Sequence, residues 1–242
     1  MSDSVGGAPL YLAPGWMCDR EIFAEQVAAL GLSDASYVEN RLDDDLGAMA
    51  DRLLESAPER FAIAGFSMGG MLAVELMARA PERLAGAALI CTEAEAASEK
   101  EVAWRAHLAT EADEGGDEAL EARREWMLGR FAGHSAAAAA RMRQRILAMN
   151  ARTDLKTYLR QNAALSGRRN RLEALRAFAV SGGEIIIIAG SEDKLCPKPR
   201  QKAMKEAAPD APLIMIKDCG HLAPWEKPEI VSAALRGWLA AL

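Results

Sequence analysis

A serine held between two glycines is the residue of this chain best suited to chemistry. Ser67 follows the apolar run Phe61–Phe66 in the pattern Gly-x-Ser-x-Gly, and a helical pattern begins directly after it. A strand, a serine between glycines and a helix, in that order, are typical of a nucleophile elbow. The helix N-terminus would place free N–H groups and the positive end of a dipole beside the serine oxygen. The alternative is a structural glycine turn in which the serine only caps the helix.

A serine hydroxyl is a weak nucleophile near neutral pH, so it needs a base beside it. The chain has three histidines. His107 and His134 fall in a charged, alanine-rich helical region, and we interpret both as solvated helix residues. His221 instead comes just after the last predicted strand, and the ends of parallel strands are where such sheets keep their active sites. We therefore favour His221 as the base over a simple loop or capping histidine.

The base in turn needs an acid that orients it. The loop after the most apolar strand, residues 190–197, offers Glu192 and Asp193. Either carboxylate could orient the histidine, and a helix-capping role competes for both. The chain order of serine, acid and histidine is the order found in one of the known triad arrangements.

Composition limits the kinds of partner that are compatible with this chain. Of 242 residues, 50% are hydrophobic and 26% charged, and the net charge of −6 argues against nucleic acid and anionic membranes as main partners. No apolar run approaches membrane-spanning length, and the first residues lack the pattern of a signal peptide. The cysteines show no CxxC and no metal-ligand spacing, which favours a reduced, cytoplasmic setting without a metal site; they are Cys18, Cys91, Cys196 and Cys219.

Apolar runs that alternate with helical patterns indicate an α/β fold, with a mostly parallel central sheet flanked by helices. Six strands are predicted, at residues 9–13, 36–38, 61–66, 84–91, 184–190 and 213–216. Between residues 92 and 180 no strand pattern is present and only helical periodicity continues. We therefore divide the chain into a core, residues 1–91 and 181–242, and a helical insertion, residues 92–180.

Three motifs together resemble those of the α/β-hydrolase fold family. They are the run of residues 65–70 (GFSMGG), the spacing Gly190-x-x-Asp193-x-x-x-Pro197, and the pair Gly220-His221 with Pro228-Glu229 downstream. The resemblance extends from about residue 9 to the C-terminus and leaves the insertion as the variable cap of that family. It implies that Asp193, rather than Glu192, is the acid. Pro14-Gly15 stands where the family usually has His-Gly, a variant that is also known within it.

The resemblance also implies where the developing oxyanion would be bound. Its two donors would be the backbone N–H groups of Trp16, in the loop after the first strand, and of Met68, just after the nucleophile. Met and Trp residues predicted near the site could line an apolar pocket, although packing is the alternative for each; they are Met17, Trp104, Trp126, Met127 and Met149. Arginines of the insertion could receive a substrate carboxylate, but we interpret them as a solvated basic face; they are Arg123, Arg124, Arg141, Arg143 and Arg145.

These residues predict a serine hydrolase that acts on a small or medium apolar carboxylic ester or lactone and needs no metal or organic cofactor. A non-catalytic small-molecule receptor on the same fold is the alternative, as are family relatives with other chemistry: C–C bond hydrolases, acyltransferases and cofactor-free haloperoxidases. A third alternative is an interaction protein that docks through the helical insertion. The natural substrate and the oligomeric state stay open, because the fold does not select among these chemistries.

Overall fold

The computed structural model describes residues 8–33, 35–131 and 136–242, without the side chains of residues 127, 129–131 and 136–141. A single six-stranded sheet runs through the described residues, with the strand order β2-β1-β3-β4-β5-β6 and every neighbouring pair parallel. The strands are β1 (Leu10–Ala13), β2 (Ser36–Tyr37), β3 (Phe61–Phe66), β4 (Leu84–Ile90), β5 (Glu184–Gly190) and β6 (Leu213–Ile216).

The central strands are buried along nearly their whole length, which is why they read as continuous apolar runs rather than as alternating ones. All six residues of β3 are buried, and so are six of the seven residues of β5. A strand that is buried on both sides must be covered on both faces of the sheet. The predicted α/β fold with a parallel sheet flanked by helices is confirmed.

Ten α-helices are described, and two short 3-10 turns precede α1 and β4. The helices are α1 (Ala24–Leu30), α2 (Leu46–Ser56), α3 (Met68–Arg79), α4 (Glu99–Phe131), α5 (Ala136–Asn150), α6 (Leu155–Ser166), α7 (Leu172–Val180), α8 (Lys198–Ala207), α9 (Ala223–Glu226) and α10 (Pro228–Leu239). One packed group contains α1, α9 and α10, and another contains α2, α3, α7 and α8. The last helix, α10, ends at Leu239.

The segment between β4 and β5 contains α4 to α7 and no described strand. Helix α4 changes direction at Gly116, whose φ of 58° and ψ of −140° are not helical. Helix α6 is tied to the loops that follow β1 and β2, because Gln161 accepts the Met17 N–H at 2.9 Å and donates to the Asn40 carbonyl at 3.0 Å. Helix α7 packs against α3 and α8. Within the described residues, every helix is too short or too polar to span a bilayer.

Candidate active site

Ser67 occupies a sharp turn between β3 and α3. Its φ of 53° and ψ of −116° are unusual for a residue with a side chain, and they lift it out of the line of the strand. The turn is held by hydrogen bonds on both sides: the Ser67 N–H donates to the Ile90 carbonyl at 2.9 Å, and the Thr92 hydroxyl donates to the Ser67 carbonyl at 2.7 Å. This conformation leaves the Ser67 side chain at the carboxyl edge of the sheet.

The two glycines of the motif allow β3 and α3 to approach each other and β1. A Cβ atom at Gly65 would overlap the carbonyl of Gly69, and a Cβ atom at Gly69 would overlap the carbonyl of Ala13. The motif is therefore required by backbone packing as well as by the position of the serine.

His221 and Asp193 reach Ser67 from the loops that follow β6 and β5. The His221 Nδ1 atom lies 2.8 Å from Asp193 Oδ2, and Nε2 lies 2.9 Å from Ser67 Oγ. Both side chains are buried, with Asp193 6% and His221 1% exposed. A carboxylate can only accept, so Nδ1 must carry the proton that is shared with Asp193, and Nε2 is then free to accept the Ser67 hydroxyl proton. The three groups form one continuous line of hydrogen bonds.

The loop that holds His221 is fixed by a carboxylate that sequence reasoning did not identify. Glu226 in α9 accepts the N–H groups of Gly220 at 2.9 Å and of Leu222 at 3.1 Å, one on each side of the histidine. No sequence pattern singles out Glu226, because its role depends on how the loop folds back onto α9. The Phe66 ring, 5.1 Å from the imidazole, covers the other flank of His221.

The loop after β1 lies directly against the serine. A Cβ atom at Gly15 would be only 3.1 Å from the Ser67 Cβ atom, so the backbone at Gly15 and Trp16 is next to the nucleophile. Met17 has a φ of 56°, and its N–H is taken up by Gln161. The backbone N–H groups of Trp16 and Met68, by contrast, donate to no group within the described part of the chain. Within the described residues these two N–H groups, in backbone segments next to Ser67, are therefore not used by the protein itself.

A cavity of about 490 Å³ opens onto Ser67 and His221. Of the predicted pocket residues, Trp104 lines it, and so does Trp16. The structure places the other described ones elsewhere: Met17 and Met149 are packed in the hydrophobic core, and Trp126 lines a separate cavity of about 240 Å³. Met17 is fully buried, and the Trp126 ring packs against Trp104, with the ring centroids 5.9 Å apart. The Met127 side chain lies outside the described residues.

The wall of this cavity contains buried charges. Arg168 contacts Glu93 at 2.6 Å and Glu101 at 2.7 Å, and Arg200 contacts Glu93 at 2.9 Å. Burial raises the pKa of Glu93, while the two arginines act in the opposite direction. Arg105, which sequence reasoning did not select, also lines the cavity, and burial lowers its pKa to about 10, so it is charged at neutral pH. Its only sequence signal is its place beside Trp104.

Asp193, Cys196 and His221 lie close enough together to be considered as metal ligands. Their hydrogen bonds already account for the arrangement: Asp193 accepts from His221, from the Leu195 N–H at 2.8 Å and from the Cys196 N–H at 2.9 Å. Burial raises the pKa of the Cys196 thiol well above its usual value, which opposes the thiolate form that a metal needs. The arrangement therefore favours a proton-transfer chain over a metal centre.

The comparisons with known protein families and with solved structures agree with each other. A model of the alpha/beta hydrolase family matches residues 10–234. The structure is similar to that of a thermophilic esterase from Thermogutta terrifontis, at 23% identity and a TM-score of 0.80 over 97% of this chain and 90% of that chain. It is also similar to an enol-lactonase from Burkholderia xenovorans LB400, at 20% identity and a TM-score of 0.80 over 97% and 92%. An esterase from Exiguobacterium antarcticum has 16% identity and a TM-score of 0.77 over 96% and 92%. At such identities the structures share the fold.

Proposed function

The chain belongs to the alpha/beta hydrolase family, and on that basis we propose that it is a serine hydrolase of small or medium carboxylic esters or lactones. The observation that carries the proposal is the hydrogen-bonded line from Asp193 through His221 to Ser67, with distances of 2.8 Å and 2.9 Å. A nucleophile, a base and an orienting acid within hydrogen-bond reach are what acyl transfer to a serine requires.

In the proposed first half-reaction, the Ser67 oxygen attacks the ester carbonyl carbon while His221 Nε2 takes the hydroxyl proton. The carbonyl oxygen becomes an oxyanion, which the N–H groups of Trp16 and Met68 stabilise. Removing one such donor typically costs about 3 kcal/mol of transition-state stabilisation. Asp193 stabilises the imidazolium that forms. When the C–O bond breaks, His221 returns the proton to the leaving alcohol and an acyl-enzyme remains.

In the second half-reaction, His221 takes a proton from water, whose oxygen attacks the acyl-enzyme carbonyl. The intermediate collapses, the Ser67 oxygen regains its proton from His221, and the carboxylic acid leaves. A lactone follows the same path, except that its alcohol stays attached to the released acid. Every proton and electron pair is accounted for by these residues and one water.

We also propose that the helical segment of residues 92–180 acts as the cap of the site on the core of residues 1–91 and 181–242. Trp104 and Arg105 from α4 and Leu165 from α6 line the cavity that holds Ser67, which supports this assignment. Since α7 packs against α3 and α8, the helices proposed to cover the site are α4 to α6.

Labelling with a fluorophosphonate, followed by turnover of 4-nitrophenyl esters of increasing acyl length, tests the proposal. We expect covalent labelling of the wild-type protein at Ser67, a preference for short to medium acyl chains, and loss of both in Ser67→Ala. An absence of labelling and turnover in folded wild-type protein would contradict it. Ligand binding that survives Ser67→Ala without any turnover would instead indicate a small-molecule receptor.

A further inference from the structure

Arg105 is buried and has no carboxylate partner among the residues that the structure describes. It is 8% exposed, and among the described residues its guanidinium hydrogen-bonds only to Asn162, from Nη1 to Oδ1 at 3.1 Å. The Nε atom is buried with no acceptor, and Nη2 donates to no described group. Two of the three guanidinium nitrogens are therefore unpartnered, on the Nε–Nη2 edge that binds a carboxylate through two parallel hydrogen bonds.

Among the described residues one other arginine, Arg168, is buried, and its charge is compensated by carboxylates. Arg168 has a side chain that is 2% exposed, and it contacts the carboxylates of Glu93 and Glu101. The insertion arginines considered from the sequence also have carboxylate partners wherever their side chains are described; these are Arg123, Arg124, Arg143 and Arg145. Of the two buried arginines in the described part of the chain, Arg105 is thus the one without a carboxylate partner.

The position of Arg105 is next to the proposed chemistry. It lines the same cavity as Ser67 and His221, and its Cζ atom lies 4.9 Å from the Trp16 ring and 5.3 Å from the Trp104 ring. Cation–π contacts with these rings fix the guanidinium in place but leave its hydrogen-bonding edge unused. The indole N–H of Trp16 is likewise buried without an acceptor. Neither of these two neighbouring donors has an acceptor among the described residues, and both residues line the cavity, which favours a ligand as the acceptor.

The charges around the cavity are compatible with an anionic ligand. Glu93 and Glu101 also line it, but Arg168 and Arg200 occupy their oxygens. Lys100 and Lys194 add two exposed positive charges to the lining. A buried, unpaired guanidinium is costly for the protein, and an incoming carboxylate would remove most of that cost on binding.

We propose that Arg105 binds an ionised carboxylate of the substrate, and hence that the preferred substrates are esters or lactones that carry a second, free acid group. Half-esters of dicarboxylic acids are the simplest members of this class. This inference rests on the proposed hydrolase function, because it assigns the specificity of that same site. It also refines the apolar pocket expected from the sequence, since one end of the cavity now selects for negative charge.

Matched substrate pairs test this inference. The mono-4-nitrophenyl esters of hexanedioic and octanedioic acid are compared with 4-nitrophenyl esters of the neutral acids of the same length, each corrected for spontaneous hydrolysis. For wild-type protein we expect a higher kcat/KM for the charged member, roughly tenfold or more. In Arg105→Met, which keeps the side-chain length but not the charge, this ratio should fall by roughly tenfold to a hundredfold, mainly through KM. Because each ratio compares two esters on the same variant, a loss that affects both esters equally cancels from it.

Two further variants separate a specific contact from a general effect of charge. Lys194→Gln removes one positive charge from the exposed part of the same cavity and should change the ratio by less than about threefold, because exposed charges are screened. Arg105→Lys keeps the charge but loses the two-pronged edge, and it should give an intermediate ratio. A ratio in folded Arg105→Met equal to that of the wild type, or a drop of the same size in Lys194→Gln, would overturn the inference.

A binding measurement keeps this inference separate from the hydrolase proposal. Calorimetry compares the half-amide of hexanedioic acid, which resists hydrolysis and carries a carboxylate, with the neutral diamide. Tighter binding of the half-amide, lost in Arg105→Met, supports the anion subsite even if no ester is turned over, in which case only the hydrolase proposal fails. Turnover of neutral esters together with equal binding of the two amides would leave the hydrolase standing and remove the subsite.

Discussion

The two oxygens of the Asp193 carboxylate have different partners: one accepts hydrogen bonds from the backbone of its own loop, and the other contacts His221. Its Oδ1 atom accepts the backbone N–H groups of Leu195 at 2.8 Å and Cys196 at 2.9 Å, while Oδ2 lies 2.8 Å from His221 Nδ1. Because two N–H groups hold Oδ1, the loop decides which end of the side chain meets the imidazole. The orientation of the acid is therefore built into the backbone of the β5–α8 loop.

Asp193→Asn should abolish most activity while leaving the fold in place. The two backbone donors will retain the amide oxygen, so the NH2 group must face His221 Nδ1 and force the proton onto Nε2. In that tautomer the imidazole cannot accept the Ser67 proton, and we expect kcat to fall by about 10⁴. Ester kinetics and thermal unfolding of the same preparations provide the measurement. A kcat within tenfold of the wild type would contradict the assigned role.

Ser67→Gly should stabilise the fold, whereas Ser67→Ala should not. The left-handed backbone of Ser67 is strained for any residue with a Cβ atom, and glycine relieves that strain, by about 1 kcal/mol. Both variants lose the nucleophile, so only the backbone effect separates them. Denaturant unfolding gives the free energy of each. Equal unfolding free energies for the two variants would mean that the turn stores no strain.

Gly69→Ala should destabilise the protein strongly, with Gly237→Ala as the matched control. A Cβ atom at Gly69 would overlap the Ala13 carbonyl of β1, and the resulting shift should cost about 3 kcal/mol or more. At Gly237 in α10 no atom lies within 4 Å of the added carbon, and the better helix propensity of alanine should stabilise the fold by about 0.5–1 kcal/mol. If both variants unfold at the wild-type denaturant midpoint, the close approach at Gly69 is not needed.

The two buried arginines should respond differently to removal of their charge. Arg168→Met leaves Glu93 and Glu101 without one of their partners inside the protein, and we expect a loss of about 3 kcal/mol of unfolding free energy. Arg105→Met removes a charge that has no carboxylate partner within the described residues, so its loss should be smaller, limited to the hydrogen bond with Asn162 and the contacts with two tryptophan rings. Denaturant titrations of both variants measure this difference, and equal losses would show that Arg105 has a mainly structural role.

Glu75 should contribute stability that depends on pH. Burial tends to raise the pKa of Glu75, but hydrogen bonds from Arg171 and Arg79 outweigh it and hold the pKa below its usual value. A lowered pKa in the folded state means that the stabilisation is present above the unfolded pKa of about 4.3 and is lost as the pH falls further. Glu75→Gln should therefore cost about 2 kcal/mol at pH 7.

The same substitution should have little effect at low pH, because the wild-type carboxyl is then protonated and resembles the amide. Unfolding free energies of wild type and Glu75→Gln, measured from pH 7 down to pH 3, should draw closer once the pH falls below the unfolded pKa of about 4.3. A difference that stays constant over this range would assign the loss to packing instead of charge.

Much of the fold could be predicted because its elements are encoded locally. The apolar runs of β3 and β5 and the glycines around Ser67 each predict a strand or a turn without reference to the rest of the chain. The wall of the cavity could not be predicted in this way. Trp104 and Trp126 are the same residue type on one helix and their ring centroids lie 5.9 Å apart, yet of the two only Trp104 lines the cavity with Ser67.

The sequence by itself predicted the strand–helix alternation, the parallel sheet, and Ser67 and His221 as candidate site residues, whereas the choice of Asp193 over Glu192 came from the family resemblance. This was possible because the hydrophobic period, the glycine spacing and the order of residues can all be read directly from one sequence. Only the tertiary structure decided that Gln161 would brace the loop after β1, that Glu226 would hold His221, and that Arg105 would be buried without a counter-ion. These depend on contacts between residues far apart in the chain. The type of a polar residue does not reveal its partner, because the partner is set only when the backbone brings the two side chains together.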